Sequence, residues 1–201
     1  MRSGLVLGSP SILLSRLSVL GVLGVLGVLT MGPGVAAPAE AQSLAPFVPT
    51  PELVVDRMLE IAGVTSDDVV YDLGCGDGRI VIAAAQKYGA RAVGVDIDPQ
   101  RIAESKANAK KAGVEHLVEF RLQDAMEVDL SPASVVTLYL LSSSNMKLRS
   151  RLTQQLAPGS RIVSHAFDMG DWEADKVEKF DDGHGFGRTL YLWMTDGKVR
   201  Q

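Results

Sequence analysis

Val70–Pro99 reads VYDLGCGDGRIVIAAAQKYGARAVGVDIDP, and this stretch decides the fold. Val69–Leu73 is a short apolar run of strand character, and it enters Gly74-Cys75-Gly76-Asp77-Gly78 without an intervening loop. Ile80, Ala83, Ala84 and Lys87 then recur at helical spacing, which predicts a helix over Arg79–Tyr88. Ala92–Val95 is apolar again and ends at Asp96. A strand, a glycine turn, a helix and a second strand make a βαβ unit, whose two strands run parallel. Gly74, Gly76 and Gly78 remove three side chains where the backbone must turn tightly and approach a ligand. The spacing is G-x-G-x-G and not the G-x-G-x-x-G that cradles a pyrophosphate. Asp72 and Asp77 bracket the loop, which suits a ligand carrying cationic groups and no phosphate there.

The same alternation continues on both sides. Thr50-Pro51 opens a helix, with Thr50 placed to cap and Pro51 at the first helical position; Gly63 stops it. Beyond Asp96 the sequence predicts a helix over Pro99–Lys111, strands over Val118–Arg121 and Val135–Leu141, a helix over Asn145–Leu156 and a strand over Arg161–Phe167. Strands at Lys176–Phe180 and Arg188–Thr195 finish the chain. Asp181–Gly187 between them is too short for a helix, so they form an antiparallel hairpin. Strands apolar on both faces and alternating with helices predict an α/β domain built on a mainly parallel sheet.

The chain has 201 residues, room for one such domain. Twenty basic and 24 acidic residues leave a net charge of -4, against a protein whose main work is neutralising nucleic-acid phosphates. Cys75 is the single cysteine, and the three histidines lack ligand-like spacing, so neither a disulfide nor a metal site is expected. Residues 1–41 stand apart. Arg2 and Arg16 flank the uncharged run Leu17–Leu29, and Ala39-Glu40-Ala41 resembles a cleavage site. This pattern fits an export signal, or a membrane anchor through 17–31. It favours an exported, periplasmic or membrane-associated location over a cytoplasmic one, and leaves 42–201 as the folded domain.

Asp96 lies at the carboxyl end of the second strand, where a carboxylate can accept from both ribose hydroxyls. Asp124 follows the third strand and can accept from an adenine amino group. Ligands of open α/β sheets bind outside the carboxyl ends of the strands, so Asp72, Asp77, Asp96 and Asp124 converge on one crevice.

With these residues in place, 70–99 resembles motif I and the acidic post-motif of the seven-stranded S-adenosylmethionine-dependent methyltransferases. FVPTPELVVDRML at 47–59, VVTLYLLSSSN at 135–145 and PGSRIVSHAFDMGDW at 158–172 are similar to one branch. That branch holds the small archaeal and bacterial protein-lysine methyltransferases related to the mitochondrial ones. The resemblance implies a Rossmann-like three-layer sandwich with strand order 3-2-1-4-5-7-6 and strand 7 antiparallel. It implies S-adenosylmethionine as cofactor: Asp72, Gly74, Cys75, Gly76 and Asp77 around its amino-acid half, Asp96 and Ile97 at the ribose, Asp124 and Ala125 at the adenine. It also implies a protein substrate with an accessible lysine, with no nucleic-acid partner and a monomeric enzyme. Alternatives are a small-molecule methyltransferase and a non-catalytic cofactor-binding protein.

Four residues are candidates on the acceptor side. Tyr139 offers an amine its hydroxyl or its ring face, or packs as a strand tyrosine. Asn145 presents an amide oxygen to the acceptor or caps the following helix. His165 lies near the crevice or is a core histidine bonded to backbone. Trp172 walls the acceptor channel or buries a loop. Cys75 sits before a helix start, which can lower a thiol pKa, but no partner marks it as a nucleophile.

Overall fold

Seven strands and four helices lie along residues 44–201, the part of the chain that this computed structural model describes. In order they are α1 (Glu52–Ile61), β1 (Val69–Leu73), α2 (Arg79–Tyr88), β2 (Arg91–Asp96), α3 (Pro99–Ala112), β3 (Val118–Leu122) and β4 (Val135–Leu138). There follow α4 (Ser142–Gln155), β5 (Arg161–His165), β6 (Lys176–Asp181) and β7 (Gly187–Met194). One sheet takes all the strands in the order β3-β2-β1-β4-β5-β7-β6. β1 pairs in parallel with β2 and β4, and β7 runs antiparallel to both β5 and β6. The order implied by the family resemblance and the terminal hairpin read from spacing are both present.

The pleat divides the core in two. Val70, Val135 and Val163 point to one face, where Met58 and Leu59 of α1, Ile80 and Ala84 of α2, and Ile102 and Ala109 of α3 cover them. Tyr71, Leu73, Val136, Leu138 and Ile162 point to the other face, under Leu148 and Leu152 of α4. Burial on both faces explains why the central strands lack polar alternation. At the amino ends of the strands, Asp68 accepts from the Ser134 hydroxyl at 2.7 Å and the Thr65 amide at 2.8 Å, and pairs with Arg161. This cluster ties the starts of β1, β4 and β5 together and leaves their carboxyl ends free to carry ligands.

Several expected boundaries move. α1 begins at Glu52 after Pro51, and no side chain caps it, so the Thr50 hydroxyl is not the cap. β4 stops at Leu138 and α4 starts at Ser142, three residues before Asn145, which is therefore inside the helix and does not cap it. β5 ends at His165 because Ala166 takes φ 66°, a left-handed conformation that breaks the ladder.

The expected membrane attachment through 17–31, and the exported or membrane-associated location drawn with it, are corrected. Among the described residues no helix is long and apolar enough to cross a membrane. The longest, α3 and α4, have 14 residues each, about 21 Å at the helical rise against about 30 Å of hydrocarbon. Residues 1–41, including 17–31, lie outside the described residues.

Gly78, at φ 81°, starts α2 where a Cβ would stand 2.8 Å from the Phe120 ring and 2.8 Å from the Ser105 Cβ. Gly78→Ala therefore combines a left-handed alanine with overpacking and should lose about 2–4 kcal/mol of folding stability. Denaturant unfolding of the two proteins measures it; a loss below about 0.5 kcal/mol would show that the loop can relax.

Candidate active site

The chain bends from β1 into α2 through Gly74-Cys75-Gly76-Asp77-Gly78, beside the ends of β2 and β4. Here it opens a cleft lined by Asp72, Gly74, Cys75, Gly76, Asp77, Asp96, Ile97, Ala125 and Tyr139. Leu44–Thr50 forms the opposite wall. Gly76 has φ 53°, and a Cβ on it would lie 2.4 Å from the Phe47 ring, so this close approach requires glycine. The wall is anchored at both ends. Arg79 donates to the Thr50 carbonyl at 2.6 Å and the Ser144 hydroxyl donates to the Leu44 carbonyl at 2.5 Å, while the Arg101 guanidinium lies 4.6 Å over the Phe47 ring.

Three carboxylates converge on this cleft and each is held differently. Asp96 accepts from the Gly76 amide through Oδ2 and from the Asp98 amide through Oδ1, both at 2.9 Å, which orients it toward the loop. For Asp77 burial acts against ionisation, but the bonds and charge of Arg79 outweigh it and hold the carboxyl below its usual range. Asp72 is 3% exposed, and no arginine or lysine among the described residues pairs with it. Burial pushes its pKa up to about 7; the Thr137 hydroxyl, 2.8 Å away, opposes the shift, and the negative Asp96 and Asp77 add to it. A buried, uncompensated carboxyl beside a glycine turn is a receptor for a cation.

Of the remaining expected cofactor residues, Ile97 and Ala125 line the cleft. Asp124 sits between Gln123 and Ala125, which line the cleft, and its Oδ1 accepts from the Met126 amide at 2.8 Å. Cys75 lines the loop, but burial, then Asp72 and Asp96, push its thiol pKa up, opposite to the lowering a helix start can give.

On the acceptor side, Tyr139 lines the cleft and its ring lies 4.0 Å from His165. His165 is 1% exposed, and burial together with the Arg188 charge lowers its pKa to about 4, so the imidazole is neutral. Asn145 is fully buried under the sheet; its Nδ2 donates to the Ser164 hydroxyl at 3.1 Å and to the carbonyls of Phe167 and Asp168 at 3.2 Å. Its Oδ1 is buried without a partner. Asn145 thus pins the turn that follows β5. Trp172 is not with the others: it packs 5.9 Å from Trp193 under the Arg200 guanidinium, away from the cleft lining.

Sequence reasoning missed Arg79, Phe167 and the role of 44–50. Pro46 and Pro49 marked that segment only as extended, and the prolines beside an exposed Phe47 were the available signal. Ala166 at φ 66° costs about 1 kcal/mol and gives no sequence signal at all.

The seven-stranded order, the glycine turn and the acidic strand ends define an S-adenosylmethionine-dependent methyltransferase. Residues 72–176 match the ANTKMT methyltransferase domain, and the chain belongs to that family. It is 49% identical to a protein-lysine N-methyltransferase of Saccharolobus islandicus (strain REY15A) over 150 residues, covering 74% of this chain and 92% of that protein. It is 32% identical over 129 residues to the adenine nucleotide translocase lysine N-methyltransferase of Mus musculus, a match that covers 60% of this chain and 56% of that protein. Among solved structures, an RNA methyltransferase from Salinibacter ruber, in complex with S-adenosyl-L-homocysteine, superposes with a TM-score of 0.71 at 53% identity. That match covers 77% of this chain and 97% of the other.

The site fits this cofactor: Asp72 lacks a cation, and the cofactor brings an ammonium and a sulfonium. Asp72 would hold the cationic end and Asp96 the hydroxyls of its sugar. Cofactor binding selects ionised Asp72, so affinity should rise about tenfold from pH 6 to pH 8, following the ionised fraction of a group titrating near 7. The free fold shows the opposite trend. An acid raised from its unfolded value of 3.8 to about 7 gives stability that is lost as pH rises through that window. Calorimetric titrations at several pH values check both signs, and Asp72→Asn should flatten the pH dependence of binding.

Proposed function

We propose that this enzyme transfers the methyl group of S-adenosylmethionine to the side-chain amine of lysine in a protein. The carrying observation is the 49% identity with an archaeal protein-lysine N-methyltransferase across nearly the whole of that protein. The catalytic unit under this reading is 42–201. Bound there, S-adenosylmethionine would supply an electrophilic methyl carbon to a neutral lysine amine, with S-adenosylhomocysteine as the leaving group. The residues of this chain position and shield. Asp72 and Asp96 fix the donor, the Phe47 segment covers it, and Tyr139 faces the acceptor. His165 is too weakly basic to deprotonate a lysine, so the amine loses its proton to solvent and reacts from its neutral population.

An RNA acceptor is the second reading, favoured by the description of the Salinibacter relative. Charge weighs against it. The chain carries -4, and Asp168 stands exposed next to Phe167, while Asp171 further along is paired with Arg149. Phosphates are repelled by a net negative charge, whereas a lysine-bearing segment is attracted.

The deciding experiment incubates the full chain and methyl-labelled cofactor with host protein and, separately, host RNA. Label recovered as methylated lysine after protein hydrolysis is expected; label confined to RNA or to small metabolites overturns the reading. Asp96→Ala removes two backbone-anchored acceptor sites and should cost about 1–3 kcal/mol of cofactor affinity by calorimetry, with transfer falling in step.

A further inference from the structure

Beyond the cofactor, the ends of β4 and β5 assemble three uncharged aromatic rings. Tyr139, on the cleft wall, lies against His165 with ring centroids 4.0 Å apart, and the Phe167 centroid stands 6.3 Å from Tyr139, the rings tilted by 31° in both pairs. The turn that delivers Phe167 is built against the backbone's preference. Ala166 is the one non-glycine residue at positive φ among the described residues. Four hydrogen bonds hold it there: Ala166 N–H to the Thr189 carbonyl (2.8 Å), the Ser164 hydroxyl to the Phe167 carbonyl (2.6 Å), and Asn145 Nδ2 to the carbonyls of Phe167 and Asp168. A strained conformation persists where its surroundings over-determine it, and such places cluster at functional sites. None of these groups is needed for the Asp72–Asp96 side of the cleft. The nearby cation, Arg188, is engaged by Asp182 through Nε at 2.8 Å and Nη2 at 2.6 Å, and the next side chain along the turn is the exposed Asp168.

We propose that Tyr139 and Phe167, with the buried His165 backing Tyr139, form an aromatic receptor for the ammonium end of the acceptor side chain, with Phe167 as its specificity-determining residue. The inference rests on the lysine reading and names how that site recognises its substrate. Ring faces attract a cation through their quadrupole, and the effect grows where water is excluded. A primary amine in its charged resting state, and its methylated products, are held at the rings next to the cleft. Neutral groups of the same shape gain only contact area. A nucleobase stacks on aromatic rings as well, but the exposed Asp168 beside Phe167 disfavours the phosphates that accompany it.

The test uses the full chain saturated with S-adenosylhomocysteine and two short peptides, one carrying Nε-trimethyl-lysine and one its neutral tert-butyl isostere. Affinities come from calorimetry, and ring contacts from the side-chain resonances of Tyr139 and Phe167. The cationic peptide should bind at least fivefold more tightly. In Phe167→Ala that ratio should fall toward one and KM for a lysine peptide should rise at least fivefold, with S-adenosylhomocysteine affinity changed less than twofold. Phe167→Tyr should retain the preference. Equal binding of the two peptides by the wild type overturns the proposal, and that comparison stands even where a variant misfolds. So does an unchanged ratio in a folded Phe167→Ala, or tighter binding of a short oligoribonucleotide at the same rings. A persistent cation preference in an enzyme that leaves lysine unmethylated upholds the receptor and counts against the lysine reading alone.

Discussion

Asp72 is a carboxyl group at the end of the central strand of a sheet covered on both faces, and no side-chain cation among the described residues neutralises it. Water would solvate such a group; the interior does not, so its ionised form is costly until a cation arrives. Much of the architecture serves to create that condition. β2 and β4 flank β1 and exclude solvent, Thr137 supplies a single hydrogen bond, and the glycine turn brings backbone close without filling the space. A sulfonium cofactor bearing an ammonium is a ligand that such a site binds by charge as well as by shape.

The neighbouring Asp77 shows how the same residue type can be silenced. Arg79, two residues along, pairs with it and also grips the Thr50 carbonyl, so one guanidinium both neutralises the loop and fastens the 44–50 wall. Two acids in one loop therefore have different duties, set by which of them reaches an arginine. Phe47 completes the arrangement by occupying the space over Gly76 that any other residue would fill. The donor side is thus a rigid sheet edge with a peptide segment laid across it.

The acceptor side is made differently. It depends on the corner after β4, on the left-handed Ala166, and on Asn145 of α4, whose amide pins both carbonyls after Ala166. Family membership identifies the chemistry of the donor, because every member must hold the same cofactor. Acceptor recognition is carried by side chains that no cofactor constrains, and there the relatives differ in what they are described as modifying.

Local pattern was enough for the βαβ unit, the glycine turn and the terminal hairpin. Strand apolarity, helical spacing and connection length act over a few residues and are written in order along the chain. The same local signals misplaced the end of β5, because nothing in Ser164–Phe167 announces a left-handed alanine that is held from Asn145 and Thr189, some 20 residues away on either side. Nor do they announce the Met126 amide that bonds Asp124, or the Trp193 and Arg200 side chains that pack against Trp172. Phe167 against Tyr139, Arg79 on Thr50 and Phe47 over Gly76 join residues about 28 to 30 positions apart in sequence. The sequence alone determined the order of elements and the chemistry of the donor, since periodicity and glycine conformation are local properties. Which side chains meet at the acceptor was decided by the tertiary fold, because packing between distant segments depends on distances that no local pattern encodes.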